Sequence, residues 1–500
     1  MRYRSTRSSE RASAEDALLY GLAKDGGLYV PESLPKPFIS WDAVKDLTYA
    51  ETAAFVLTPF LEEFGYDGLL AMAKKAYEGT FDGEDVVPLA PLSETLSLAE
   101  LFHGRTCAFK DLALSLFPYL LTAARDRVAR DKEILILTAT SGDTGKAALE
   151  GFRDVPGVRI MVFYPSHGVS LLQKDQMQKQ QGSNVAVFGI EGNFDDAQSA
   201  LKRVFSGQLR QEAEEKGILL SSANSINIGR LFPQVAYYVW IWKTLVKQGK
   251  ISQNEAFHIV VPTGNFGNIL AAWIAKQIGT PIGQLVCASN QNRVLSDFFE
   301  TGVYDINRDF YLTESPSMDI LISSNFERFL YFMTGSPDVV RRDMEELSDS
   351  GRYEVSAEAL ALMKKSIIGG WASEEDMREA MRDVYERAGY LMDPHTAVAK
   401  AVYDKLRATG VMKEGHTVIA ATAHPDKFPV AVSEALSVPL RDMPYDMLRA
   451  IEAHTGVAIP RQMAALETLP VRFDTTIQTG DIETTIERYA GTLSPEVTKL

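Results

Sequence analysis

The chain has 500 residues, 46% of them hydrophobic and 23% charged, which excludes a disordered or low-complexity polypeptide and predicts two or three domains. With 51 Lys and Arg against 66 Asp and Glu the net charge is −15, so the overall balance gives no attraction for nucleic acid or an anionic membrane. Two cysteines, Cys107 and Cys287, exclude a disulfide framework and a Cys-rich zinc site and suit a reducing, cytosolic compartment.

In chain order, the basic start Met1-Arg-Tyr-Arg-Ser-Thr-Arg7 has no apolar segment behind it, so no secretory signal is expected. Residues 12–22 read as a helix, Gly26-Gly-Leu-Tyr-Val-Pro31 as a turn and short strand, and 47–64 and 66–77 as further helices of an N-terminal lobe. This lobe is expected to span residues 1–95, with the Pro-containing stretch 87–92 as the hinge into the next domain. Four-residue recurrence of Leu112, Leu116, Leu120, Ala124 and Val128 predicts one long helix after Phe109. Apolar β-rich runs follow at 134–137, 159–163, 184–188, 218–220, 257–261 and 285–288, with helical stretches between them. Strands buried on both faces and separated by helices predict a parallel α/β sheet. No run approaches the ~18 to 20 apolar residues of a membrane span. The most apolar stretch, 235–246, is broken by Lys243 and reads as a buried helix. A catalytic region is expected over 96–460, with a small subdomain at about 130–215 and a helical insertion at about 300–385. A strand at 417–421 returns to the sheet, and 461–500 is a polar tail.

Three loops are positioned to meet at the carboxyl edge of such a sheet. In Ala108-Phe-Lys-Asp111, Lys110 opens a helix, the electrostatically wrong end for a cation, so a lowered pKa and a nucleophilic amine are expected. The bland alternative is a solvated first-turn lysine. In Thr138-Ala-Thr-Ser-Gly-Asp-Thr-Gly-Lys146, the hydroxyls of Thr140, Ser141 and Thr144 and the exposed amides suit a carboxylate or small phosphate. A nucleotide P-loop fails there, because position 140 is not Gly and Ala147 is neither Ser nor Thr. In Val261-Pro-Thr-Gly-Asn-Phe-Gly-Asn268, Gly264 and Gly267 allow close backbone approach, and the following helix points its N-terminus at the loop, which is a phosphate site by mechanism. A ligand-free turn is the competing reading for both Gly-rich loops.

One activated lysine and two anion cradles are what a pyridoxal-phosphate enzyme needs. At this point the chain resembles the threonine synthases, pyridoxal-phosphate enzymes of fold type II in the tryptophan-synthase-β-like group. The resemblance rests on six motifs in one order: Gly21-Leu-Ala-Lys-Asp-Gly-Gly-Leu-Tyr-Val-Pro31, Ala108-Phe-Lys-Asp111, Thr140-Ser-Gly-Asp-Thr-Gly145, Asn224-Ser-Ile-Asn-Ile-Gly-Arg230, Gly264-Asn-Phe-Gly-Asn268 and Ala421-Thr-Ala-His-Pro-Asp-Lys-Phe428. Length and the 300–385 segment are similar to the longer, yeast-and-enterobacterial-like branch.

The resemblance implies parallel sheets flanked by helices and a carbon–oxygen lyase acting on O-phospho-L-homoserine, with pyridoxal 5'-phosphate as cofactor. It implies Lys110 as the Schiff-base lysine, Gly264, Asn265, Phe266, Gly267 and Asn268 around the cofactor phosphate, and the Thr422 hydroxyl facing the pyridine nitrogen. It also implies Thr140, Ser141, Gly142, Asp143 and Thr144 around the substrate carboxylate. Cys107 departs from the apolar residue common in relatives, and Asn268 stands at a position open to Asp. Asp143 conflicts with an anion in its loop, so it is expected to turn toward Lys146 or nearby N–H groups. Arg230 is a candidate for gripping the substrate phosphate, with a structural ion pair as the equal alternative. No metal is expected, since no histidine pair has ligand spacing. His424 is expected beside the site through its closeness to Thr422. The expected partner is a small molecule, the protein itself being a monomer or weak homo-oligomer. A threonine or serine dehydratase, another β-replacement enzyme and a non-catalytic anion-binding protein are the alternatives.

Overall fold

The computed structural model describes residues 1–491, apart from Glu84, Ser141 and Gly168. The expected α/β alternation is distributed over two parallel-stranded sheets. The larger runs Ile367–Trp371, Ile282–Ser289, Phe257–Pro262, Thr417–Ala421, Leu96–Glu100 and Leu89–Pro91, parallel throughout except for the last pair. The smaller runs Thr476–Gln478, Val185–Glu191, Val158–Pro165, Glu133–Ala139 and Ile218–Ser222, parallel throughout.

The period-2 geometry of strands decides which core each residue serves. In Glu133–Ala139, Ile134 and Ile136 face a large cluster that includes the N-terminal helices, while Leu135 and Leu137 face a second one with Val204, Ile482 and Ile486. In Phe257–Pro262, Ile259 and Val261 join the first cluster and Val260 joins a third, beneath the helices Glu374–Ala388 and Pro394–Ala408. These two strands are apolar on both faces, which is why the sequence shows runs rather than alternation there.

The helix Ile228–Lys247 crosses the middle of the molecule and is almost wholly buried. Leu18, Val56 and Phe60 of the N-terminal segment share its core, and Phe60 stacks on Phe232 at 4.6 Å. Tyr3 donates its hydroxyl to the Phe60 carbonyl at 2.8 Å, tying the first strand to the same contact. The first ninety residues are therefore packed as part of the central core.

Three local outcomes differ from the sequence expectation. The predicted long helix after Phe109 is two, Lys110–Leu114 and Phe117–Val128, because Pro118 lacks the N–H a continuous helix needs. The 300–385 stretch contains helices such as Pro337–Ser350, but also Ile367–Trp371, which forms the edge of the larger sheet. The polar tail supplies Thr476–Gln478 to the smaller sheet and the helix Ile482–Gly491 against its outer face. No helix among the described residues is long and apolar enough to cross a membrane.

Candidate active site

The carboxyl ends of the strands bring the predicted loops together. Gly264–Asn268 follow Phe257–Pro262, Thr422 follows Thr417–Ala421, and Thr140–Thr144 follow Glu133–Ala139. Lys110 is held to Thr422 by backbone pairing: the Phe109 N–H donates to the Thr422 carbonyl at 2.8 Å, and the His424 N–H donates to the Cys107 carbonyl at 3.0 Å. Cys107 adopts the left-handed φ of 57° that turns the chain into this docking. The unusual residue at 107 is thus a turn residue, buried and free of any disulfide.

Lys110 is nearly buried, and burial pushes its ammonium down to about 8. Asp143 opposes that shift, whereas the charges of Arg230 and Lys427 assist it. The helix start and Phe109, whose ring lies 5.7 Å from Nζ, are secondary to desolvation. Asp143 does not turn toward Lys146, which pairs instead with Glu150 at 3.6 Å. Its carboxylate faces Lys427 Nζ at 3.1 Å and Lys110 Nζ at 3.7 Å, and accepts from Gln173 Nε2 at 2.9 Å. Burial disfavours its charge, but Lys427 and then Lys110 hold it well below the usual carboxylate range. The electrostatic conflict seen in the sequence is resolved by two cations from distant segments.

The loop at 140–145 is partly self-satisfied. Thr140 Oγ1 accepts from the Gly142 N–H at 3.0 Å and the Gly145 N–H at 2.8 Å, so this hydroxyl shapes the turn rather than standing free for an anion. Gly142 holds φ 145°, with Gln173 where a Cβ would be, so only glycine fits there. Thr144 is half-buried at the mouth of the helix Asp143–Gly151. Ser141, also expected in the cradle, lies outside the described residues.

The second loop has the features of a phosphate cradle. Phe266 takes the left-handed φ of 62° and anchors its ring among Phe299, Phe326 and Phe329. That anchor leaves Gly267 and Asn268 at the N-terminus of Gly267–Gln277. A Cβ on Gly267 would meet nothing closer than 3.4 Å, whereas one on Gly264 would lie 2.4 Å from the Ser317 carbonyl oxygen. Asn268 Oδ1 accepts from the Tyr237 hydroxyl at 2.6 Å and from that of Tyr238, which fixes its amide orientation. Its Nδ2 is then buried with no partner among the described residues. Asn265 Oδ1 accepts from Ser324 Oγ at 3.3 Å.

Arg230 is fully buried, its pKa pushed down to about 10 by desolvation. Nη1 donates to the Ala223 carbonyl at 2.6 Å, and Nε has no partner among the described residues. No carboxylate pairs with it there, so the structural ion pair weighed from the sequence is absent among the described residues. Two buried donors without acceptors, Asn268 Nδ2 and Arg230 Nε, are costly unless anions meet them. An amine, two such donors and a helix N-terminus fit pyridoxal phosphate and an anionic substrate.

Several residues that converge here were not among the sequence expectations. Lys427 and Gln173 converge on Asp143. Ser317 Oγ donates to Asp143 at 3.3 Å, and its N–H donates to His395 Nε2 at 3.1 Å, while His395 Nδ1 meets Asp393 at 2.8 Å. Lys427 lay inside a quoted motif and could have been singled out; Ser317 sits in an insertion with nothing to mark it. His424 instead lines a cavity of about 300 Å³ with Glu100, Phe102 and Tyr390, whose walls do not include Lys110. No group of three His, Cys, Asp or Glu side chains able to hold a metal occurs among the described residues.

The family model for pyridoxal-phosphate dependent enzymes matches residues 86–423, that for the threonine synthase N terminus 2–77, and that for the threonine synthase C-terminal region 396–486. The chain is 36% identical to the threonine synthase of Schizosaccharomyces pombe, over 87% of this chain and 89% of that one. It is 39% identical to the human threonine synthase-like 1 over 85% of its own length, but spans only 58% of that protein. The crystal structure of pyridoxal-phosphate-bound threonine synthase from Brucella melitensis superposes with a TM-score of 0.85 at 35% identity, covering 98% of this chain and 100% of that one.

Proposed function

Since this chain belongs to the threonine synthases, a family of pyridoxal-phosphate-dependent enzymes, we propose that it converts O-phospho-L-homoserine and water to L-threonine and phosphate. The observation that carries the reading is a single one: the turn holding the nearly buried Lys110 is paired to Thr422, at the carboxyl end of the strand next to the one that leads into a Gly-rich helix start with an unpartnered amide donor. Pyridoxal phosphate, held by Lys110 and by Gly264–Asn268 with Thr422 at its ring nitrogen, would supply the electron sink for carbanion chemistry.

The chain's own residues do the rest. Lys110, released as a free amine, takes the proton from the substrate α-carbon and returns protons as phosphate leaves the γ-carbon and water adds at the β-carbon. The free amides at the start of the helix Asp143–Gly151 and the Thr144 hydroxyl orient the substrate carboxylate. Arg230 meets the substrate phosphate through its unpartnered Nε. Gly264 and the Ser317 segment packed against it form one wall of the site. The buried, unbridged state of Cys107 and Cys287 supports a cytosolic setting.

The experiment is product analysis with the purified, cofactor-loaded protein and O-phosphohomoserine. Stoichiometric threonine and phosphate are expected. Ketobutyrate in place of threonine would mean elimination without water addition, and a colourless protein with no turnover would overturn the reading.

A further inference from the structure

Lys427 is a fully buried ammonium, 0% exposed, in the turn Pro425–Lys427 just beyond Thr422. Its three donors are all used: the Thr106 carbonyl at 2.8 Å, Gln176 Oε1 at 3.1 Å and Asp143 Oδ1 at 3.1 Å. No N–H remains for a ligand, so this lysine does not grip substrate. Its single charged contact is Asp143. The two carboxylate oxygens are divided, Oδ1 toward Lys427 and Gln173, Oδ2 toward Lys110 at 3.7 Å and Ser317.

We propose that Lys427 is a positioning residue that shares the charge of Asp143 and thereby leaves the Lys110 amine free to lose its proton. The inference rests on reading Lys110 as the covalent lysine. A buried Lys110–Asp143 pair alone would hold its one proton tightly, because releasing it would strand a carboxylate without a cation. With Lys427 present, the proton can leave and Asp143 is still neutralised. The trio is uncharged when Lys110 is the free amine and carries one net positive charge when it is protonated, so burial favours the nucleophilic form. Asp143 meanwhile stays 3.7 Å from Nζ, close enough to hold the amine in direction.

The other charged groups do not duplicate this arrangement. Arg230 faces Lys110 and adds positive charge, and His395 faces Asp143 through Ser317, with its own Nδ1 on Asp393. Asp111, Lys146 and His424 lie within the field of Lys427. None of these groups places a cation against Asp143 Oδ1, which Lys427 alone meets among the described residues.

The test measures the Lys110 amine itself. Full-length protein stripped of cofactor is acylated with acetic anhydride across a pH series, and Lys110 modification is read by peptide mass mapping. The parent should show a half-point near 8. Lys427→Met should raise it by about one unit, leaving roughly 10-fold less free amine at neutral pH. Lys427→Arg, which keeps the cation, should restore the parental value, and Asp143→Asn should lower it. A folded Lys427→Met protein with an unchanged or lowered half-point overturns the proposal. If that variant does not fold, Asp143→Asn decides: a half-point that fails to fall overturns it equally. Wild-type protein that makes no threonine while these shifts hold would refute the proposed reaction and leave this inference standing.

Discussion

At the scale of one residue, Lys110 shows how environment lowers the hold of a side chain on its proton. Its amine is desolvated, flanked by Arg230 and Lys427, and balanced by Asp143. Loss of the amine cannot be compensated, because no other lysine occupies the turn paired to Thr422. Lys110→Ala should lower turnover by several orders of magnitude, about 10³-fold or more, and abolish borohydride-trapped labelling of the chain. Labelling of a different lysine in the parent would refute the assignment. Arg230 is the complementary case, a buried cation with one hydrogen already committed and Nε unpartnered. Lysine would keep the charge but not the fork. Arg230→Lys should reduce kcat/KM for O-phosphohomoserine ~10- to 100-fold, equivalent to ~1.4 to 3 kcal/mol, with cofactor titration unchanged. Wild-type kinetics would place the phosphate elsewhere.

At the scale of elements, the loop Gly264–Asn268, proposed to hold the cofactor phosphate, and the short turn Pro316–Met318 are a matched pair. The Ser317 carbonyl passes so close to Gly264 that a methyl group would sit 2.4 Å from it, and the obstruction is backbone, which cannot rotate aside. Ser323 Oγ donates to the Gly264 carbonyl at 2.7 Å, and Asn325 Nδ2 to the Asn265 carbonyl at 3.1 Å, so the insertion forms one wall of the cradle. Gly264→Ala should therefore part these two segments at an overpacking cost of about 1–3 kcal/mol. The expected readout is a cofactor dissociation constant raised ~5- to 150-fold, measured by absorbance titration. Unaltered affinity would show that the wall is not needed for binding.

At the scale of the whole molecule, the tail is part of the smaller sheet. Thr476–Gln478 covers the edge of Val185–Glu191, and Ile482, Ile486 and Tyr489 are buried against its outer face. Arg159 donates to the Tyr489 carbonyl at 2.6 Å and lies over the Tyr489 ring. A chain ending at residue 470 would lack these three buried side chains and expose the strand edge and the apolar face they cover, at about 1.5–3 kcal/mol for each side chain lost. Such a variant should melt at a lower temperature than the full chain and associate in sedimentation analysis. Equal melting temperatures would mean that the segment contributes nothing to the core.

The sequence by itself determined most of the buried strands and the Gly-rich turns, because these depend on local chemistry. Runs apolar on both faces mark buried parallel strands, and Gly-rich strand-to-helix turns mark Thr140–Gly145 and Gly264–Asn268 wherever they lie. Only the tertiary structure decided how the strands divide into two sheets, since pairing leaves no periodic mark in a chain whose strands all look alike. It also decided the partner of Asp143. A carboxylate chooses its cation by distance in space, and Lys427 is 284 positions away while Lys146 is only three positions along the chain. The roles of Ser317 and of the Ile367–Trp371 strand were hidden for the same reason. Their side chains are ordinary, and what makes them matter is the backbone they happen to meet.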